Sequence, residues 1–109
     1  MEIVALSAYR KAAKKLLTAT ERAAMESSIA NDPLAHPVIP GTGGFRKARW
    51  GRGNRGKSGG VRAIFYYFVT GATIYLYDLY AKNQKENLTR EEENHLRSVA
   101  DGLERPDNL

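Results

Sequence analysis

Seven basic side chains, Arg46, Lys47, Arg49, Arg52, Arg55, Lys57 and Arg62, fall between Gly41 and Arg62 without an acid among them. Arginine matches phosphate oxygens two at a time, and interleaved glycine lets a backbone come close to a strand, so the stretch suits a polyanion. Inside it, GRGNRGKS (51–58) fits G-x-x-x-x-G-K-[ST], the loop that cradles nucleotide phosphates. IYLYD (74–78) looks like the apolar strand ending in an acid that holds magnesium beside such a loop. The plainer alternative for the whole stretch is a solvated, positively charged hairpin loop with no specific ligand.

The nucleotide-loop reading fails on its surroundings. That loop binds phosphate through the amides and dipole of a helix that starts right after it. Here Ser58 is followed by Gly59 and Gly60 and then by VRAIFYYFV (61–69), the most strand-like segment of the chain. The apolar run that follows, TIYLYDLY (73–80), is joined to it by Thr70-Gly71-Ala72, which predicts a tight antiparallel hairpin in mid-sheet. No nucleotide cofactor is expected. Arg62 then stands out, because a charge opening an apolar strand either snorkels to solvent or faces a functional cleft.

The elements that position these residues follow from local patterns. Glu2 to Leu6 alternates weakly as a first strand. From Ser7, Tyr9, Ala13, Leu16 and Leu17 fall on one helical face and Arg10, Lys11, Lys14 and Lys15 on another. Thr18 and Glu21 form a capping box, so a second helix runs to about Ala30 and stops at Asn31-Asp32-Pro33. His36 to Pro40 is an extended connector and Gly41 to Gly44 a turn. Phe45 to Trp50 alternates, with Phe45, Lys47 and Arg49 on one face and Arg46, Ala48 and Trp50 on the other. Thr89 and Glu92 form a second capping box ahead of the stripe Leu96, Val99, Ala100 and Leu103, with Leu88 placed to staple the turn. The order β-α-α-β-β-β-α predicts a single α+β domain over 1–109, a sheet covered by helices, with a frayed tail from Arg105 to Leu109.

Composition agrees with a folded, polyanion-binding protein. The chain has 109 residues, 42% apolar, with net charge +5, and a pI near 9.6. Between Arg46 and Lys85 the only acid is Asp78, while the acids Glu86, Glu91, Glu92, Glu93, Asp101, Glu104 and Asp107 follow. A polyanion is therefore expected at the middle of the chain. Without cysteine, disulfides and thiolate metal sites are excluded. No signal peptide or membrane span is visible, so the cytoplasm is the expected compartment.

The segments GTGGFRKARW (41–50), GKSGGVRAIFYYF (56–68), and LYAKN with LTREE (79–83, 88–92), in that order and spacing, resemble the RelE/HigB superfamily of bacterial toxins, in particular the HigB-type, RelE-like translational repressors of type II toxin–antitoxin systems. The likeness covers about residues 33–104 by motif. It implies a small twisted, mainly antiparallel sheet with an N-terminal helical hairpin and a C-terminal helix. It also implies a ribosome-dependent mRNA endonuclease, an mRNA interferase that cuts the codon in the ribosomal A site and so inhibits translation. In the chemistry that the resemblance implies, the 2′-OH attacks the adjacent phosphate without a metal or other cofactor. The implied partners are the ribosome, mRNA and a cognate antitoxin of helix-turn-helix type.

Carried over residue by residue, Arg62 matches the family's strand-borne arginine at the transition state. Lys47 and Arg49, with Arg46 beside them, match the basic strand that contacts the scissile phosphate and its neighbours. Lys57 is a loop candidate for phosphate, and Lys82 with Tyr80 falls where the last strand meets the cleft. Where RelE has a further arginine after that lysine and a tyrosine near the start of the last helix, this chain has Asn83 and about Thr89, so the usual general base is missing. His36 and His95 read as surface or packing residues, and Asp78 as an ion-pair partner or an orienting group. Tyr66, Tyr67, Tyr75 and Tyr77 read as core or base-stacking surface. Two alternatives stay open: a non-catalytic RNA- or ribosome-binding inhibitor, and a degenerate toxin kept as an antitoxin scaffold.

Overall fold

A computed structural model of the chain describes residues 1–51 and 60–104. Its elements are β1 (Glu2–Ala5), α1 (Ser7–Leu16), α2 (Ala19–Asn31), a 3-10 turn at Pro33–Ala35, β2 (Arg46–Trp50), β3 (Val61–Phe68), β4 (Thr73–Ala81) and α3 (Arg90–Glu104). The α+β order read from the sequence is the observed one; the 3-10 turn, built on Pro33 where α2 stops, is an addition. The strands form one sheet in the order β1-β4-β3-β2. The β3–β4 and β2–β3 pairs are antiparallel, and β1 lies parallel to β4, with Glu2 opposite Thr73 and Ala5 opposite Leu76.

Each face of the sheet is buried by a different helical layer. On one face Ala63, Phe65, Ile74, Leu76 and Leu79 pack with Tyr9, Ala13 and Leu17 at α1 and Met25 and Ile29 of α2. On the other, Phe45, Ile64, Tyr66 and Tyr80 pack with Leu96 and Ala100 of α3. The basic residues Arg10, Lys11, Lys14 and Lys15 stay exposed on the outside of α1. Both capping boxes form: Thr18 accepts from the Glu21 amide at 3.1 Å while Glu21 accepts from the Thr18 amide at 2.8 Å, and Thr89 and Glu92 repeat the exchange at 3.1 and 2.8 Å.

The pattern of β4 contains its own irregularity. Ile74 and Leu76 are two apart, as are Leu79 and Ala81, but the two pairs are out of phase, so a regular strand would send one pair to each face. A bulge resolves this: Phe65 pairs with Leu76 and Ile64 with Asp78, leaving Tyr77 as the extra residue. Ile74, Leu76 and Leu79 thereby serve the α1–α2 layer, with Ala81 opposite Val61 of that layer, and Tyr77 and Asp78, adjacent in sequence, both stand on the α3 side.

The turn Gly41–Gly44 fixes β2 against α3. Gly43 and Gly44 adopt φ of 73° and 120°, and a Cβ on Gly44 would lie 3.3 Å from the Tyr66 ring, one on Gly43 3.1 Å from the Cβ of Ala100. Fully buried Thr42 ties the turn together: its hydroxyl donates to the Ile39 carbonyl at 2.7 Å and accepts from the Phe45 amide at 3.1 Å.

Candidate nucleic-acid interface

Alternation along the paired strands places the candidate residues in two adjacent rungs on the α3 face. In the first, Arg49, Arg62 and Tyr80 are successive Cα partners across β2, β3 and β4. In the second, Lys47, Ile64 and Asp78 are partners. Neighbouring strands lie about 4.8 Å apart, so Arg49 and Arg62 put like charges directly opposite each other, an arrangement that destabilises a sheet unless an anion offsets it.

Arg62 is 6% exposed, and its Nη1 donates to the Val61 carbonyl at 3.2 Å. No carboxylate among the described residues forms an ion pair with it. The side chain is thus held within the fold and does not extend into solvent. Lys47 reaches Asn87 Oδ1 at 3.3 Å; burial lowers its ammonium pKa, and Arg49 and Arg62 push it further down against the opposing pull of Glu86. Tyr80 is 7% exposed, and its hydroxyl is the one buried side-chain polar atom among the described residues with no hydrogen-bond partner. Burial raises the Tyr80 pKa, Arg62 opposes, and Glu92, Asp78 and Glu86 add to the rise.

The end of β4 joins this site to α3. Lys82 extends the ladder by one residue, its amide donating to the Gly60 carbonyl at 3.0 Å. Lys85 holds its ammonium 5.3 Å from the centre of the Tyr80 ring and forms an ion pair with Glu92. That bond, with the Thr89 amide, holds the Glu92 carboxyl below the usual carboxylate range. Two openings flank the second rung. One, about 280 Å³, is lined by Lys47, Arg49, Asn87, Leu88 and the connector Pro37–Pro40. The other, about 360 Å³, is lined by Ile64, Tyr77, Asp78, Leu88, Glu91 and His95 among others. Leu88, expected as a staple, lines both.

The sequence-derived set is therefore only partly gathered. Arg49, Arg62, Tyr80 and Lys47 share one face, with Lys82 following at the strand end. Arg46 pairs with Phe65 on the opposite face, where its Nη1 donates to the His36 carbonyl at 2.7 Å. Lys57, with Arg52 and Arg55, lies outside the described residues. Asp78 pairs with no cation among the described residues; its Oδ1 accepts from the Leu79 amide at 2.8 Å. His95, read from the sequence as a surface or packing residue, is exposed and hydrogen-bonded through Nε2 to the Tyr77 hydroxyl at 2.8 Å. The out-of-phase apolar pairs of β4 were the available signal for Tyr77, and none pointed to His95. Among the described residues no group of three or more His, Cys, Asp or Glu could hold a metal ion, and no helix is long and apolar enough to cross a membrane.

Comparison with known proteins adds a family to this geometry. A family model described as the RelE toxin of the RelE/RelB toxin–antitoxin system matches residues 41–108. Among solved structures, that of an E. coli toxin RelE mutant with two arginines replaced by alanine, in the free state, superposes with a TM-score of 0.59 at 15% identity, covering 88% of this chain and 95% of that one. The structural likeness covers a larger share of the chain than the family model does.

Proposed function

Since the chain belongs to the RelE toxin family of toxin–antitoxin systems, we propose that it is a ribosome-dependent mRNA endonuclease that cuts the codon in the A site and is neutralised by a cognate antitoxin, of helix-turn-helix type, in the cytoplasm. The observation that carries this reading is the rung Arg49–Arg62–Tyr80 with Lys47 beside it, three cations converging on one sheet face.

In the proposed reaction the ribose 2′-OH gives its proton to solvent water, in place of the family's usual base, as its oxygen attacks the adjacent phosphorus, and the bond to the 5′-oxygen of the next nucleotide breaks, giving a 2′,3′-cyclic phosphate and a 5′-OH. Charge grows on the non-bridging oxygens at the phosphorane, and Arg62, already buried and fixed, stabilises it without reorganising. Arg49 and Lys47 hold the phosphate from β2. To Lys82, just past the end of β4, we assign the proton given to the departing oxygen, with Tyr80 supporting the site beside Arg62. These roles need no metal.

The test is to induce the gene and map mRNA 5′ ends in the wild type and in Arg62→Ala. Cuts clustered in A-site codons and lost in the variant support the reading; arrested translation with intact message would instead establish inhibition by occupancy. Co-purification with the product of a neighbouring reading frame tests the antitoxin.

A further inference from the structure

We propose that the cavity between β4 and the start of α3 is a nucleobase subsite, and that Asp78 makes it favour a base with an exocyclic amine over uracil. The proposal rests on the reading of the Arg49–Arg62–Tyr80 rung as a phosphate site, and it deepens that reading by assigning the group next to the phosphate.

Position comes first. Asp78 and Tyr80 are two residues apart on the same strand and face, as are Ile64 and Arg62, which sets the cavity roughly 7 Å from the phosphate rung. That is the reach from the phosphorus of a nucleotide to its own base. At about 360 Å³ the cavity is large enough for a purine or pyrimidine with room for water.

Its walls suit a flat ring better than an ion. Tyr77 and His95 form a hydrogen-bonded pair with ring centres 6.3 Å apart, and Tyr77 is braced from beneath by Phe45, edge to face at 5.5 Å. Ile64 and Leu88 add apolar contact. The two rings are tilted 57° to each other, so they form no slot between them, but an aromatic face at the cavity wall can stack on a base of any identity.

Charge then selects among bases. The carboxylates Asp78 and Glu91 line the cavity and repel a phosphate, while that of Glu92 is engaged by Lys85 and the Thr89 amide. Asp78 keeps acceptor capacity, since Oδ1 takes only the Leu79 amide and no cation among the described residues pairs with it. A carboxylate can only accept. Cytosine N4 and adenine N6 present an amine where uracil has O4, and guanine presents N1–H beside its N2 amine; the single donor of uracil, N3–H, is flanked by two carbonyl oxygens that would face the carboxylate.

The experiment titrates the full-length protein with CMP, UMP, AMP and GMP, followed by NMR at Tyr77, Asp78, Leu88 and His95. CMP and UMP carry the same ring and phosphate and differ at the amine. CMP is expected to bind about fivefold or more tighter than UMP, as a single charge-assisted hydrogen bond allows. Asp78→Asn, whose amide can donate as well as accept, should remove the difference, and His95→Ala should weaken all four alike. Equal CMP and UMP affinity, a preference that survives Asp78→Asn, or no shift at these residues with any nucleotide overturns the proposal. So does a cavity that responds only to a lysine-rich peptide, which would make it a socket for a basic side chain of a protein partner. A CMP preference in a protein that cuts no message would leave the subsite standing and refute the nuclease reading; codon cutting with no preference would do the reverse.

Discussion

Arg62 and Tyr80 face each other across β3 and β4, a guanidinium with no carboxylate partner among the described residues beside a hydroxyl with no hydrogen bond. Buried polar groups are almost always satisfied, so an unpaired guanidinium charge beside an unbonded hydroxyl costs the fold stability, and the phosphate site proposed above gives that cost a purpose.

Arg62→Met tests that trade. Replacing a buried charge by an apolar side chain of similar size is often neutral or stabilising, and this one also removes the charge opposite Arg49. Thermal denaturation should show an unchanged or higher Tm, while codon cutting in a translation extract falls about 100-fold or more. A large loss of Tm would show that Arg62 is a structural residue.

Lys47 links activity to pH. Its pKa lies below that of an ordinary lysine because of burial and the nearby Arg49 and Arg62, so its charge is present at low pH and lost as pH rises through that lowered value. Phosphate binding should weaken at a more acidic pH than a free lysine would dictate. Lys47→Arg, whose charge persists, should shift the alkaline limb of the binding curve upward; an unmoved limb would remove Lys47 from the phosphate site.

His36 links stability to pH on the other side of neutrality. Burial lowers its pKa, Arg46 lowers it further, and Asp32 opposes; its ring meets Phe65 edge-on at 5.7 Å. The folded state thus favours the neutral ring and the unfolded chain binds the extra proton. This contribution is full above the unfolded value of 6.5 and declines as pH falls through it toward the folded pKa. Chemical denaturation between about pH 7.5 and 5 should show stability falling with pH, and His36→Gln should flatten that slope.

The bulge in β4 predicts an asymmetry between two single-residue deletions. Removing Tyr77 brings Ile74, Leu76, Leu79 and Ala81 into one phase, so the strand pairs regularly and the fold survives with a lower Tm. Removing Tyr75 puts Ile74 next to Leu76 and drives one of them out of the α1–α2 layer, which should cost about 2–5 kcal/mol, as emptying a core position does. Circular dichroism melts of the two variants decide the matter, and equal loss would refute the assignment of Tyr77 as the extra residue.

Local signals carry much of this fold. Thr18 with Glu21 and Thr89 with Glu92 announce two helix starts, and alternation in FRKARW is enough to separate Arg46 from Lys47 and Arg49. Rejection of the nucleotide loop follows from Gly59 and Gly60 running into VRAIFYYFV, and β3 does begin at Val61. The features hidden from the sequence depend on contacts between distant parts of the chain. The alternation of Glu2 to Leu6 names a strand but not its parallel partner 71 positions away. The burial of Arg62, the orphaned Tyr80 hydroxyl and the Lys85–Glu92 pair arise only once α3 lies across the sheet. Tyr77 with His95 is illegible for the same reason: the helix phase of α3 against a bulged strand is set by packing, and neither residue type announces it.

The parallel pairing of β1 with β4 also governs when the protein can exist. Residues 2–5 have no sheet to join until residues 73–76 have been made, and the rung holding Arg49 and Arg62 lacks Tyr80 until later still. Contacts of such long separation form slowly. In chain order, therefore, α1 and α2 are complete before any partner strand of β1 has been made, and the four-stranded sheet can close only when most of the message for it has been read.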